Sequence, residues 1–114
     1  LVSGIGPLNI VASETAFNDR SNWLEGLLAQ LRSNVQKLEQ VVGTRMTPVE
    51  ATYLAWVNIA DLGINDVEAH FEAHGLGISD GAQFGHPDYI RFNFACPDEL
   101  LTEGLQRLGR ALSA

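Results

Sequence analysis

Between Ser21 and Val42, apolar residues return every three or four positions: Leu24, Leu27, Leu28, Leu31, Val35, Leu38 and Val42. At roughly 100° per residue they share one face, which predicts a long amphipathic helix. Trp23 and Val41 form a flanking stripe able to meet a second surface. Ser21 is the expected N-cap and Gly43 the expected C-cap. Upstream, Pro7 suits the first turn of a shorter helix running to about Phe17. Asn18, Asp19 and Arg20 break the two apart.

Beyond Gly43 the period changes. Thr44 to Val49 contains Pro48 and reads as a connection; Thr52 to Ile59 is rich in β-branched and aromatic residues and reads as a strand. Asp61, Leu62 and Gly63 make a turn. Asn65 with Glu68 resembles a capping box opening a short helix, which Gly75 ends. Leu76 to Ser79 predicts a short strand, and Asp80 to Asp88 a loop carrying Gly81, Gly85 and Pro87. Tyr89 to Ala95 alternates, with Ile90, Phe92 and Phe94 on one side and Arg91 and Asn93 on the other. Pro97 starts a last helix, with Asp98 and Glu99 in its first turn and Arg107 and Arg110 in its last, both signs matching the helix dipole. Leu100, Leu101, Leu105, Leu108 and Leu112 form its expected buried face. The order α-α-β-α-β-β-α predicts an α+β layer, a small sheet covered by helices on one face and free on the other.

Composition narrows the function classes. The chain has 114 residues, 46% of them hydrophobic and 18% charged, so it can bury a core. A formal net charge of -7 argues against nucleic acid and anionic membranes as partners. No apolar run is long enough to span a membrane, and the start lacks a signal pattern. Cys96 is the single cysteine, which excludes an internal disulfide and suits a cytoplasmic setting. The chain opens on Leu1, Val2, Ser3 and Gly4 without an initiator Met, which predicts a natural start further upstream.

Few residues offer chemistry. Arg91 on its strand face carries a rigid fork that can grip a carboxylate through two hydrogen bonds; the alternatives are a structural ion pair or a solvent-facing side chain. His70 and His74 stand four apart on a helix, a spacing open to one metal, with His86 as a conceivable third ligand. Glu72 is at the wrong offset for a zinc-protease helix, and Val67 and Phe71 share the histidines' face, so no metal site is expected. Cys96 reads as a small buried hydrophobe, and the loop Gly81-Ala82-Gln83-Phe84-Gly85 as a turn with Phe84 as a packing anchor. Lys37, the only lysine, falls on the polar helix face and reads as a surface charge.

Three blocks carry a resemblance. Asn22-Trp23-Leu24-Glu25-Gly26-Leu27-Leu28, continuing to Asn34, resembles the "WL…L…N" helix of class I/II aminotransferases. Ala51-Thr52-Tyr53-Leu54-Ala55-Trp56-Val57 is similar to that family's "TYLAWLD" strand. Gly81, Phe84-Gly85 and Tyr89-Ile90-Arg91-Phe92-Asn93-Phe94-Ala95-Cys96-Pro97 resemble its "G..FG…fvRLN.acP" segment. The second and third are closest to the MalY/PatB-type C–S lyases. Asn58 departs from the aspartate frequent in the lyases, and His86-Pro87-Asp88 replaces a more glycine-rich stretch.

The resemblance implies the C-terminal small domain of a fold-type-I enzyme dependent on pyridoxal 5'-phosphate (PLP). Residues 1–42 would be a helical segment leading into an α+β small domain over 43–114, with the PLP-binding large domain upstream. Arg91 falls on the family's carboxylate-binding arginine, and Asn93 on the asparagine of the "RLN" motif. The family's Schiff-base lysine, pyridinium-binding aspartate and most phosphate ligands lie upstream, so this chain alone is expected to be inactive. The implied activity is β-elimination from cystathionine or a related cysteine S-conjugate, in a homodimeric parent. The alternatives are an aminotransferase small domain and, in another class, a free-standing α+β binding module.

Overall fold

The computed structural model describes residues 4 and 6–114; Leu1, Val2, Ser3 and Ile5 lie outside the described residues. Four helices and three strands follow in the order α1 (Pro7–Phe17), α2 (Trp23–Val42), β1 (Leu54–Asn58), α3 (Val67–Ala73), β2 (Ser79–Asp80), β3 (Tyr89–Asn93) and α4 (Asp98–Ala111). The expected α-α-β-α-β-β-α order holds. The sheet is antiparallel with β3 in the centre, β1 on one side and β2 on the other.

The register assigns the faces. Ala55 pairs with Phe92 and Val57 with Ile90, and these four are buried beneath the helices. Leu38 and Val42 of α2, Phe71 of α3, and Leu101, Leu105, Leu108 and Ala111 of α4 complete that core with Phe94. Trp56, Arg91 and Ser79 lie on the opposite face, one from each strand and in register. The alternation read along Tyr89 to Ala95 therefore has its faces the right way round.

Among the described residues Asn34 is the one buried polar side chain. Its amide nitrogen donates to the carbonyl oxygens of Phe94 (2.8 Å) and Cys96 (3.1 Å), and its Oδ1 accepts from Gln30 (2.8 Å). One side chain of α2 thus ties down the backbone where β3 turns towards α4. Every hydrogen-bonding group on it is used, as burial demands.

Local differences from the sequence reading have physical causes. The N-cap position of α2 falls on Asn22, without a side-chain bond, and not on Ser21, whose hydroxyl donates to Asp19 at 2.6 Å and accepts from the Trp23 amide at 3.4 Å. The Ser21 bonds hold the Asp19 carboxyl below its ordinary pKa. Asp66, not Asn65, caps α3, its Oδ1 accepting from the Ala69 amide at 3.0 Å. Gly75 ends α3 as expected, at φ 74°. The amides of Gly75 and Leu76 return to Glu72 and Phe71 at 2.8 and 2.9 Å, a Schellman closure. That closure turns Leu76 into the core, so β2 begins only at Ser79. β1 starts at Leu54 because Thr52 takes φ 68°, outside the extended region.

Leu100 was expected in the core and is 59% exposed; it stands one position off the stripe of Leu101, Leu105, Leu108 and Ala111, and Ala111 rather than Leu112 is fully buried. Leu24, Leu27 and Leu28 are likewise exposed, because the sheet and α4 reach only the second half of α2, from Leu31 onward. α1 buries nothing, with Phe17 89% exposed.

The connection after α2 follows the outer edge of β1. Met46 bridges to Val57 and the Thr47 amide donates to the Trp56 carbonyl at 3.2 Å, after which Pro48 has no amide to offer.

Asn34→Leu keeps the branching and the number of heavy atoms, is somewhat bulkier, and removes the amide. It leaves the Cys96 carbonyl without its Asn34 donor and removes one of two donors from Phe94, for which about 1–3 kcal/mol of lost stability is expected. Urea unfolding of the two proteins measures it; an unchanged midpoint would show the clasp to be dispensable.

Candidate functional site

Arg91 sits at the middle of the central strand on the uncovered face. Trp56 is its register partner on β1 and Ser79 its partner on β2. Its Nη2 donates to Ser79 Oγ at 3.2 Å, and its Cζ lies over the Phe84 ring, 4.5 Å from the centroid. Phe84 in turn meets Trp56 edge-on at 5.7 Å. No carboxylate pairs with Arg91 among the described residues, so the structural ion-pair alternative is not what the fold contains. A guanidinium has five N–H groups, and here one is spoken for. Beside it opens a cleft of about 350 Å³ lined by Thr47, Pro48, Glu50, Thr52, Leu54 and Trp56, among others. Thr52 is the one non-glycine residue at positive φ among those described, and a β-branched side chain resists that conformation. Strain of this kind gathers at sites that need a fixed backbone.

Phe84 reaches Arg91 because of Gly81. Residues Gly81–Phe84 form a 3-10 turn after β2, opened by Asp80 Oδ1 accepting from the Ala82 amide (2.8 Å) and closed by Gly85 at φ 79°. The His86 amide returns to the Gly81 carbonyl at 2.9 Å. A Cβ at Gly81 would collide with the carbonyl oxygens of both His86 and Tyr89. The turn reading of this loop was right, but the first glycine is needed for close backbone approach, not for a special φ.

The other candidates fall elsewhere. Asn93 is exposed at the end of β3, two positions from Arg91 on the same face, and its Oδ1 accepts from the Ala95 amide at 2.9 Å. Lys37 pairs with Asp98 across α2 and α4, on the helix layer. Both partners are partly solvated, so the pair adds at most about 1 kcal/mol. His70 Nε2 donates to the Ala111 carbonyl and His74 Nδ1 to the His70 carbonyl, each at 2.8 Å, so both spend a ring nitrogen on the backbone. His86 packs against Trp56 and Tyr89 on the other side of the sheet, and the three histidines do not converge. Among the described residues no cluster of His, Cys, Asp and Glu is suited to a metal. Cys96 is half-buried, and desolvation raises its thiol pKa, the opposite of what a nucleophile needs. Away from the site, Arg45 grips Asp61 with both nitrogens; these bonds lower the Asp61 carboxyl's pKa and raise that of Arg45.

Local sequence did not reveal Ser79 and Trp56 as neighbours of Arg91. Strand register joins them, and register between separated segments is a tertiary property.

Known proteins resemble this chain in sequence and fold. No family model matches the chain. The cystathionine beta-lyase of Corynebacterium glutamicum is 31% identical over 116 residues, covering 96% of this chain and 31% of that protein. The crystal structure of OvoB superposes with a TM-score of 0.89 at 40% identity, over 100% of this chain and 31% of that one. The PLP-bound C–S lyase of Staphylococcus hominis, solved with the inhibitor L-cycloserine, gives 0.83 at 30% identity, over 97% and 30%. The chain thus has the α+β fold of a part of the fold-type-I PLP-dependent enzymes. Over nearly all its length it is similar in sequence to cystathionine β-lyases. It spans about a third of the length of the relatives it matches.

No described helix is long and apolar enough to cross a membrane.

Gly81→Ala is expected to cost about 1–3 kcal/mol, because a backbone oxygen cannot move aside as a flexible side-chain tip can. Gly77→Ala, where a Cβ would meet nothing within 4 Å, is the control. Equal unfolding midpoints for the two variants would show that the loop opens freely.

Proposed function

We propose that this chain is the substrate-gripping small domain of a PLP-dependent carbon–sulfur lyase, with Arg91 holding the α-carboxylate of the amino-acid substrate. The observation that carries the reading is a guanidinium fixed on the open sheet face, braced by Ser79 and Phe84 and with no carboxylate partner among the described residues. Homology to cystathionine β-lyases supports the reaction class. Residues 1–42 would lead from a PLP-binding large domain into 43–114, within a homodimeric parent.

Arg91 on the open face fits a substrate-holding role. The single lysine is engaged with Asp98 on the helix layer, opposite the face that carries Arg91. Bound in the rest of the parent, PLP supplies the electron sink for breaking bonds at the substrate α-carbon. This chain's part is orientation. A planar fork accepts a planar carboxylate through two parallel bonds and so fixes the α-carbon in two directions. The overall change would convert cystathionine and water to homocysteine, pyruvate and ammonia. Asn93, at the rim of the same face, is the secondary substrate-binding candidate.

In the parent protein, Arg91→Ala should lower kcat/KM for L-cystathionine by about 30- to several-thousand-fold, from the roughly 2–5 kcal/mol lost when one partner of a charge pair is truncated. Arg91→Lys should remain poor, because it keeps the charge and loses the fork. PLP absorbance should persist in both. Near-normal kinetics in a folded Arg91→Ala protein would overturn the assignment. Turnover of amino-donor and keto-acid pairs in place of cystathionine would make the parent an aminotransferase.

The 114-residue chain mixed with PLP and borohydride should yield no stoichiometric adduct at Lys37. Peptide mapping tests this, and a stoichiometric adduct in folded protein would reverse the reading.

A further inference from the structure

We propose that Phe84 is a positioning residue for the reaction: it presets the guanidinium of Arg91 before substrate arrives. This rests on the carboxylate-binding reading of Arg91 and deepens it. An arginine side chain has several rotatable bonds, and ordering it on binding costs affinity each time. Here much of that ordering is already present. Ser79 Oγ takes one hydrogen of Nη2 at 3.2 Å from the β2 side, while Phe84 lies against the guanidinium with its ring centroid 4.5 Å from Cζ. A ring opposite the cation attracts it and leaves most N–H groups free for a carboxylate.

The ring is itself held. Trp56 buttresses it edge-on at 5.7 Å, an arrangement aromatic quadrupoles favour. The turn that presents it is pinned by the close backbone approach at Gly81. Phe84 is 42% exposed, too much for a core anchor of its loop. Its contacts in this chain are with the Arg91 guanidinium and the Trp56 ring on the open face, not with the core beneath the helices.

The carboxylate does not change charge during the elimination. Phe84→Leu leaves the fork in place to orient a bound substrate and removes only its ordering beforehand, so the loss should fall on KM rather than kcat. In the parent protein, Phe84→Leu should raise KM for L-cystathionine about 3- to 30-fold, the range a cation–π contact supplies, with kcat little changed. Phe84→Tyr keeps the ring and should restore KM to within about twofold of the wild type. The decisive comparison repeats Phe84→Leu in an Arg91→Ala background. With no guanidinium to hold, the second substitution should add almost nothing. If Arg91→Ala is crippled but Phe84→Leu matches wild type, or its effect is additive with Arg91→Ala, the positioning role is overturned and the carboxylate reading stands. If Arg91→Ala itself works normally, the carboxylate reading falls and this inference with it.

Discussion

The buried amide of Asn34 is the interaction on which the rest of the arrangement depends. It clasps two backbone carbonyls at the point where β3 ends and α4 has yet to begin. Without that clasp, α2 and the sheet would be joined by apolar contacts alone, which fix distance better than they fix register. Leu38 and Val42 then lie against Leu105 and Leu108 as one core, and Ile90 and Phe92 point into it. Once those two are committed inward, the period of a strand sends Arg91 outward. The functional face thus follows from the apolar one.

How much of this was legible in the sequence depends on the range of the cause. Helix positions, the Gly43 and Gly75 ends, and the in–out pattern of Tyr89 to Ala95 arise from local spacing and were readable. Ser21 and Asn65 misled by a residue or so, because adjacent polar residues compete for one cap and geometry decides between them. Leu24, Leu27, Leu28 and Leu100 misled more instructively. Periodicity says which residues share a face, not whether anything is there to cover it. Within the candidate site, Arg91 and Asn93 could be placed on a strand face, and the family pattern singled out Arg91. Ser79, Trp56 and Phe84 could not be joined to them, since they come from two other strands and a turn.

The family-like blocks acquire separate physical meanings. Asn34, in the first, is a structural clasp; Thr52, in the second, is a strained residue at the mouth of the Arg91 cleft. In the third, Gly81 permits close backbone approach, Phe84 meets the guanidinium and Arg91 carries the charge. A motif that reads as one string is here a division of labour between folding and recognition.

The path of the chain past Met46 has a bearing on self-association. A sheet of three strands has two edges, and an unpaired edge is a template on which another polypeptide can extend the ladder. Here β2 is only two residues long, too short to seed a partner strand. Along β1, Met46 and Thr47 already occupy part of the ladder, and Pro48 interrupts donation just beyond. Amyloid-like stacking and domain exchange through the sheet are therefore discouraged at both borders, while the broad face around Arg91 stays open.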